Sequence, residues 1–135
     1  MKTANVAEAV KSEHAVALLK QMYGENRVEE NAARYQLVAD GFAKEFGDKA
    51  FEFFSAPGRT EIGGNHTDHN HGKVLAGSVH LDCVAAAAPN GTHTVNLISE
   101  TYNQHLVIDL DDLAPTEKTT GTEPLLKGIF AGLLE

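Results

Sequence analysis

The chain has 135 residues, enough for one domain or a large part of one. Apolar residues make up 42% and charged residues 22%, which favours a packed core over disorder. A formal net charge of −8 and the lack of a basic cluster argue against nucleic acid and anionic membranes as partners. A small polar molecule suits this surface better.

Residues 6 to 23 read as a helix, with Val6, Val10, Leu18, Leu19 and Met22 forming a loose stripe and Gly24 closing it. Residues 29 to 46 repeat the pattern more sharply. Tyr35, Val38, Phe42 and Phe46 recur at three- and four-residue steps, and Gly47 supplies a left-handed cap. At Phe51 the period changes to two, with Phe51 and Phe53 alternating with Glu52 and Phe54, so a strand begins. Pro57 and Gly58 are expected to break it, and residues 59 to 62 form a short second strand.

"KVLAGSVHLDCVAAAAPNG" then reads as one long strand or two, closed by a turn at Asn90-Gly91 that looks like a hairpin connection. Cys83 lies in this apolar run and is expected to be buried as a small apolar group. As the single cysteine it has no intrachain disulfide partner. "TVNLISE" and "HLVIDLDDL" are two more strands, joined through residues 101 to 104. A polar loop, 115 to 122, precedes a last helix, with Thr122 as its cap and Pro124 in its first turn. Leu125, Leu126, Ile129, Phe130, Leu133 and Leu134 give this helix a broad apolar face that needs a cover, and more chain is expected after it.

Two helices, about five strands and a helix make an α+β fold, a mixed or antiparallel sheet packed by helices. The expected division is a helical segment, 1–48, followed by a sheet-containing part, 49–135. No run reaches the roughly 18 apolar residues of a membrane span, and the N-terminus lacks a secretory apolar core. A cytoplasmic location is therefore expected.

The stretch "SAPGRTEIGGNHTDHNHG", residues 55 to 72, departs from its apolar neighbours. His66, Asp68, His69 and His71 are potential metal ligands, but their spacing matches no HExxH-type pair and no cysteine cluster accompanies them. No metal site is assigned. A phosphate loop would need a helix after the glycines, and a strand follows instead. Two readings remain: a polar ligand loop, or a structural turn with solvated histidines. For the first, Arg59 offers a cationic fork, while Asn65, His66 and Asp68 offer the donors and acceptors that sugar hydroxyls need.

A wider stretch, "APGRTEIGGNHTDHNHGKVLAGSVHLD", resembles the galactokinase signature APGRxNLIGEHTDYxxGxVLP of the GHMP small-molecule kinases. Ala56, Pro57, Gly58, Arg59, Gly64, His66, Thr67, Asp68, Gly72, Val74 and Leu75 match, with Ile62 standing for a leucine. "LLKGIFAGLLE" is similar to the family's helix of type YVKGV. The resemblance implies a GHMP kinase N-terminal domain, itself like the second domain of a ribosomal protein, with the galactose-binding signature at 55–75. It implies ATP-dependent phosphorylation of galactose at the anomeric hydroxyl, with ATP and Mg2+ held by parts of a galactokinase not contained in these residues. Arg59 takes the place of the arginine near the reacting hydroxyl and phosphate. His66 and Asp68 take the places of sugar-binding residues. Asn65 stands where the pattern has glutamate, Glu61 where it has asparagine, and His69 where it has tyrosine.

The family's GLSSS-like phosphate loop, its catalytic aspartate and its third, glycine-rich motif are not found in the 135 residues. The resemblance therefore implies the N-terminal portion of a galactokinase, inactive by itself and able to self-associate through exposed apolar surface. The alternatives are a non-catalytic sugar-binding or regulatory module, and a GHMP kinase for another sugar.

Overall fold

The computed structural model describes residues 2–64, 71–115, 117 and 120–134. The fold is α+β, with four α-helices and two small antiparallel sheets among those residues. It divides into two compact units, residues 1–89 and 90–135.

The first unit opens with a short helix, α1 (Val6–Ala9), then α2 (Glu13–Tyr23) and α3 (Val28–Phe46). The single helix expected over 6–23 is thus two. Ser12 takes extended backbone angles and its hydroxyl accepts from the Ala15 amide at 3.3 Å, which starts α2 afresh as an N-cap. Gly24 and Gly47 both adopt positive φ and return their amides to Lys20 and Ala43, ending α2 and α3 where glycine permits that turn.

Strand β1 (Glu52–Gly63) pairs antiparallel with β2 (Leu75–Ala87). The expected break at Pro57-Gly58 does not occur, and β1 runs through it. Among the described residues each strand has one neighbour, so the edge facing away from the partner tolerates a proline that lacks an amide hydrogen. The irregularity falls in the register instead. Pro57 pairs with Asp82 and Arg59 with Ser78, so Val79, His80 and Leu81 all lie across from Gly58. A side chain at Gly58 would meet the Leu81 carbonyl oxygen at 3.1 Å, which accounts for glycine at the bulge. A second bulge leaves Ile62 unpaired between Glu61↔Ala76 and Gly63↔Leu75.

The core of this unit is Val6, Ala39, Phe42 and Phe51, with Val10, Phe46, Phe53, Ala86 and Ala88 packed on it. Phe42, Phe51, Phe53 and Tyr35 form a chain of tilted and edge-on rings with centroids 4.8–5.2 Å apart. Period-two alternation puts Phe51 and Phe53 on the helix side and leaves Phe54 exposed. On β2, Asp82, Val84 and Ala86 are partly buried while Leu81, Cys83 and Ala85 are exposed. Cys83 is therefore an exposed free thiol, against the expectation that it is buried. An apolar run does not decide which face of a strand receives cover.

In the second unit β3 (Thr94–Ser99) and β4 (Gln104–Asp109) form a hairpin through residues 100–103, as expected, with Asn103 at positive φ. The Asn90-Gly91 turn leads into β3. It does not close a hairpin, since β2 pairs with β1 and β3 with β4. Helix α4 (Thr122–Leu134) packs beside β4. Thr122 lies inside the helix rather than capping it, and its hydroxyl donates to Gln104 Oε1 at 3.2 Å. Part of the polar loop before it lies outside the described residues. No described helix is long and apolar enough to cross a membrane.

Candidate functional site

The β1–β2 hairpin carries the distinctive stretch at the end away from the aromatic core. Arg59 sits on β1 just past the Gly58 bulge, with its side chain 74% exposed. Glu61 follows two residues later, so the alternation of the strand brings both to one face. Arg59 Nε donates to Glu61 Oε1 at 3.0 Å, and Nη2 lies 3.0 Å from the same oxygen. Glu61 is only 21% exposed. The pair retains the Nη1 edge as donor and Glu61 Oε2 as acceptor, neither of which has a partner among the described residues.

The strands close in behind this pair at Gly64. Its φ is +82°, and a Cβ there would collide with the Lys73 carbonyl oxygen. Only glycine lets the two backbones approach this closely, so Gly64 and Lys73 form the neck from which the loop leaves the hairpin. His71, at the loop's return, also has positive φ. Asn65, His66 and Asp68, the other expected sugar contacts, lie outside the described residues, as does His69. Of the four site residues read from the sequence, the structure thus places Arg59, and it gives Arg59 a partner, Glu61, that had been noted only as a departure from the pattern.

A second cluster went unread in the sequence. Asp82 of β2 is 3% exposed at its side chain. Its Oδ1 accepts from Arg34 Nη1, its Oδ2 from the Tyr23 hydroxyl at 2.6 Å and from the Ser55 hydroxyl, and its backbone carbonyl from Arg34 Nη2. Tyr23 also meets Tyr35 at 3.2 Å, oxygen to oxygen. Burial by itself would raise the Asp82 carboxyl. The hydrogen bonds from Ser55, Tyr23 and Arg34 outweigh it and hold Asp82 below the usual carboxylate value. Burial and then the hydrogen bond to Asp82 push the Tyr23 phenol above its ordinary value, so it stays a donor.

One carboxylate therefore ties α2, α3 and β1 to β2, directly across from Pro57. The available signal was a lone acid inside an apolar strand, which must find partners if it is buried. A cleft of about 220 Å³ beside it is bounded by Arg27, Arg34, His80 and Asp82. Both of its arginines are paired, Arg27 with Glu30 and Arg34 with Asp82. The cluster acts as an anchor for the strand that presents Arg59.

Residues 40–89 match the family model described as the galactokinase galactose-binding signature. A galactokinase from Lactococcus lactis subsp. cremoris (strain MG1363) is 37% identical over 89 residues, covering 64% of this chain and 22% of that protein. One from Lactococcus lactis subsp. lactis (strain IL1403) is 36% identical over 95 residues, or 70% of this chain and 24% of that protein. One from Lacticaseibacillus casei (strain BL23) is 36% identical over 73 residues, with 54% and 19% covered. The chain thus spans less than a quarter of the length of these curated relatives. No solved structure matches it. The anchored hairpin, from the aromatic core to the Arg59–Glu61 pair, falls within the matched segment, and residues 40–89 accordingly carry the galactokinase galactose-binding signature.

Proposed function

We propose that this chain supplies the galactose-binding part of a galactokinase, as the N-terminal portion of an enzyme that phosphorylates galactose at its anomeric hydroxyl at the expense of ATP. The observation that carries the reading is the signature match over 40–89, supported by 36–37% identity to proteins named galactokinase. In this reading 49–135 is part of a GHMP kinase N-terminal domain, like the second domain of a ribosomal protein, preceded by the helical segment 1–48. Arg59 faces the reacting hydroxyl and stabilises charge as the phosphoryl group transfers. Asn65, His66 and Asp68 hold the sugar ring.

Phosphoryl transfer is accelerated mainly by positioning and by electrostatic stabilisation. A hairpin end exposed to solvent but braced from behind can supply the first. Its arginine supplies a share of the second. The 135 residues contain no GLSSS-like loop, so ATP binds elsewhere in the enzyme and the chain alone turns over no galactose. In this reading Mg2+ too is held by parts of the enzyme outside these 135 residues; among the described residues no three His, Cys, Asp or Glu side chains come together. Exposed Leu125, Ile129, Leu133 and Leu134 on α4 make self-association the expected behaviour of the isolated chain, to be read by light scattering.

A second reading, a kinase for another sugar, is favoured by one observation: the acid at the signature's Asn65 position has moved to position 61, where it meets Arg59. Titrating the chain with galactose, glucose and mannose while following its amide resonances tests both. Shifts with galactose alone, centred on 59–75, support the galactose reading. Shifts with another sugar only replace it, and no shift with any sugar removes both.

A further inference from the structure

We propose that Glu61 is the positioning residue of Arg59, holding its guanidinium so that the Nη1 edge faces the ligand. This rests on the galactokinase reading and adds a residue to it. The signature pattern has asparagine at this place, so a carboxylate partner for the arginine is a feature of this chain. A guanidinium on an exposed strand loses considerable side-chain freedom when it is fixed for a ligand. Glu61 is mostly buried, and its Oε1 accepts from Nε and lies 3.0 Å from Nη2, so it fixes one edge of the fork before any ligand arrives.

The register supports the same role. Arg59 pairs with Ser78 immediately after the Gly58 bulge, and Glu61 with Ala76 immediately before the Ile62 bulge. The two residues therefore occupy the short regular stretch between irregularities, where strand alternation keeps their side chains on one face. Glu61 also opposes anion binding, because its negative charge partly offsets that of Arg59. Positioning and charge act in opposite directions, and Glu61→Gln, which removes the charge but keeps an acceptor, separates them.

The test uses the whole chain, with galactose 1-phosphate as the probe because it puts an anion at the anomeric position. Arg59 Nε–H is followed in side-chain NMR spectra of the wild type and of Glu61→Ala and Glu61→Gln. The glutamine keeps an acceptor but no charge. Glu61→Ala is expected to lose the protected Nε–H resonance and to bind galactose 1-phosphate roughly three- to tenfold more weakly, the scale of a lost orientation. Glu61→Gln is expected to keep the resonance and to bind as tightly as the wild type or more so. An Nε–H resonance unchanged in Glu61→Ala, or galactose 1-phosphate binding in Glu61→Ala equal to or tighter than in the equally uncharged Glu61→Gln, overturns the positioning role. If the wild type binds neither galactose nor galactose 1-phosphate, the galactokinase reading falls, and the Nε–H resonance alone decides whether Glu61 positions Arg59.

Discussion

The two ends of the β1–β2 hairpin solve opposite problems. At one end Phe51, Phe53, Ala86 and Ala88 are pressed against α3, and Asp82 is gripped by side chains from two helices and the neighbouring strand. At the other, two bulges, an exposed arginine and a glycine neck leave the backbone irregular and open to solvent. Burial and a satisfied polar network set one end. The other is shaped by backbone geometry that only particular residues allow. The comparison shows a division of labour along one hairpin: the first half of β1 and the second half of β2 provide the rigidity on which the open end stands.

The largest expected effect on stability comes from the core end. Phe51 is 1% exposed and touches two other rings, so Phe51→Ala should cost about 3–5 kcal/mol, read by urea unfolding. Arg34→Met should cost about 3 kcal/mol, because it leaves the Asp82 carboxylate with hydroxyl donors alone. If either variant unfolds at the wild-type urea midpoint, the core end is not the support described.

Acid should weaken the same end. Asp82 has a depressed native value, so its contribution is present above the unfolded carboxylate value of about 4 and is lost as pH falls through the lower folded value. Stability against pH should therefore decline below about pH 4 in the wild type, with a shallower decline in Asp82→Asn. Identical acid limbs would show that Asp82 is not the titrating group.

At the open end, Gly64→Ala should cost about 2 kcal/mol, since the new Cβ would collide with the Lys73 carbonyl at a positive φ. Its amide shift changes should be confined to 59–78, and changes spreading into the aromatic core would mean that the two ends are not separable.

The smallest effect is in the second unit. There the Asp111 carboxylate, 3.0 Å from His93 Nδ1, raises the imidazole's value. The attraction is present below the ordinary histidine value of about 6.5 and is lost as pH rises through the higher folded value. An NMR titration should place His93 above its ordinary value in the wild type and back at it in Asp111→Asn.

Much of the frame was legible in the residues because its rules are local. The stripe Tyr35, Val38, Phe42, Phe46 with Gly47 gave α3 and its end to within a residue. The alternation at Phe51–Phe54 gave the buried face of β1. Pro57-Gly58 misled because a proline's effect depends on whether its edge has a partner, which is a tertiary fact. Cys83 misled in a similar way, since a strand's sequence does not say which of its faces is covered. The Asp82 cluster gathers residues 23, 34, 35, 55 and 82, and no window along the chain brings them together. The signature was legible through its density of matches, and the Arg59–Glu61 pairing through neither periodicity nor pattern.

If the braced hairpin presents a galactose site, as proposed, the affinity of the intact chain for galactose must depend on Asp68, and it is measured in the wild type and in Asp68→Ala. The wild type is expected to bind galactose and Asp68→Ala to bind it about tenfold or more weakly, the scale of a lost charged hydrogen bond, while unfolding at the same urea concentration. Equal galactose affinity in the two proteins, or none in either, would contradict the proposal.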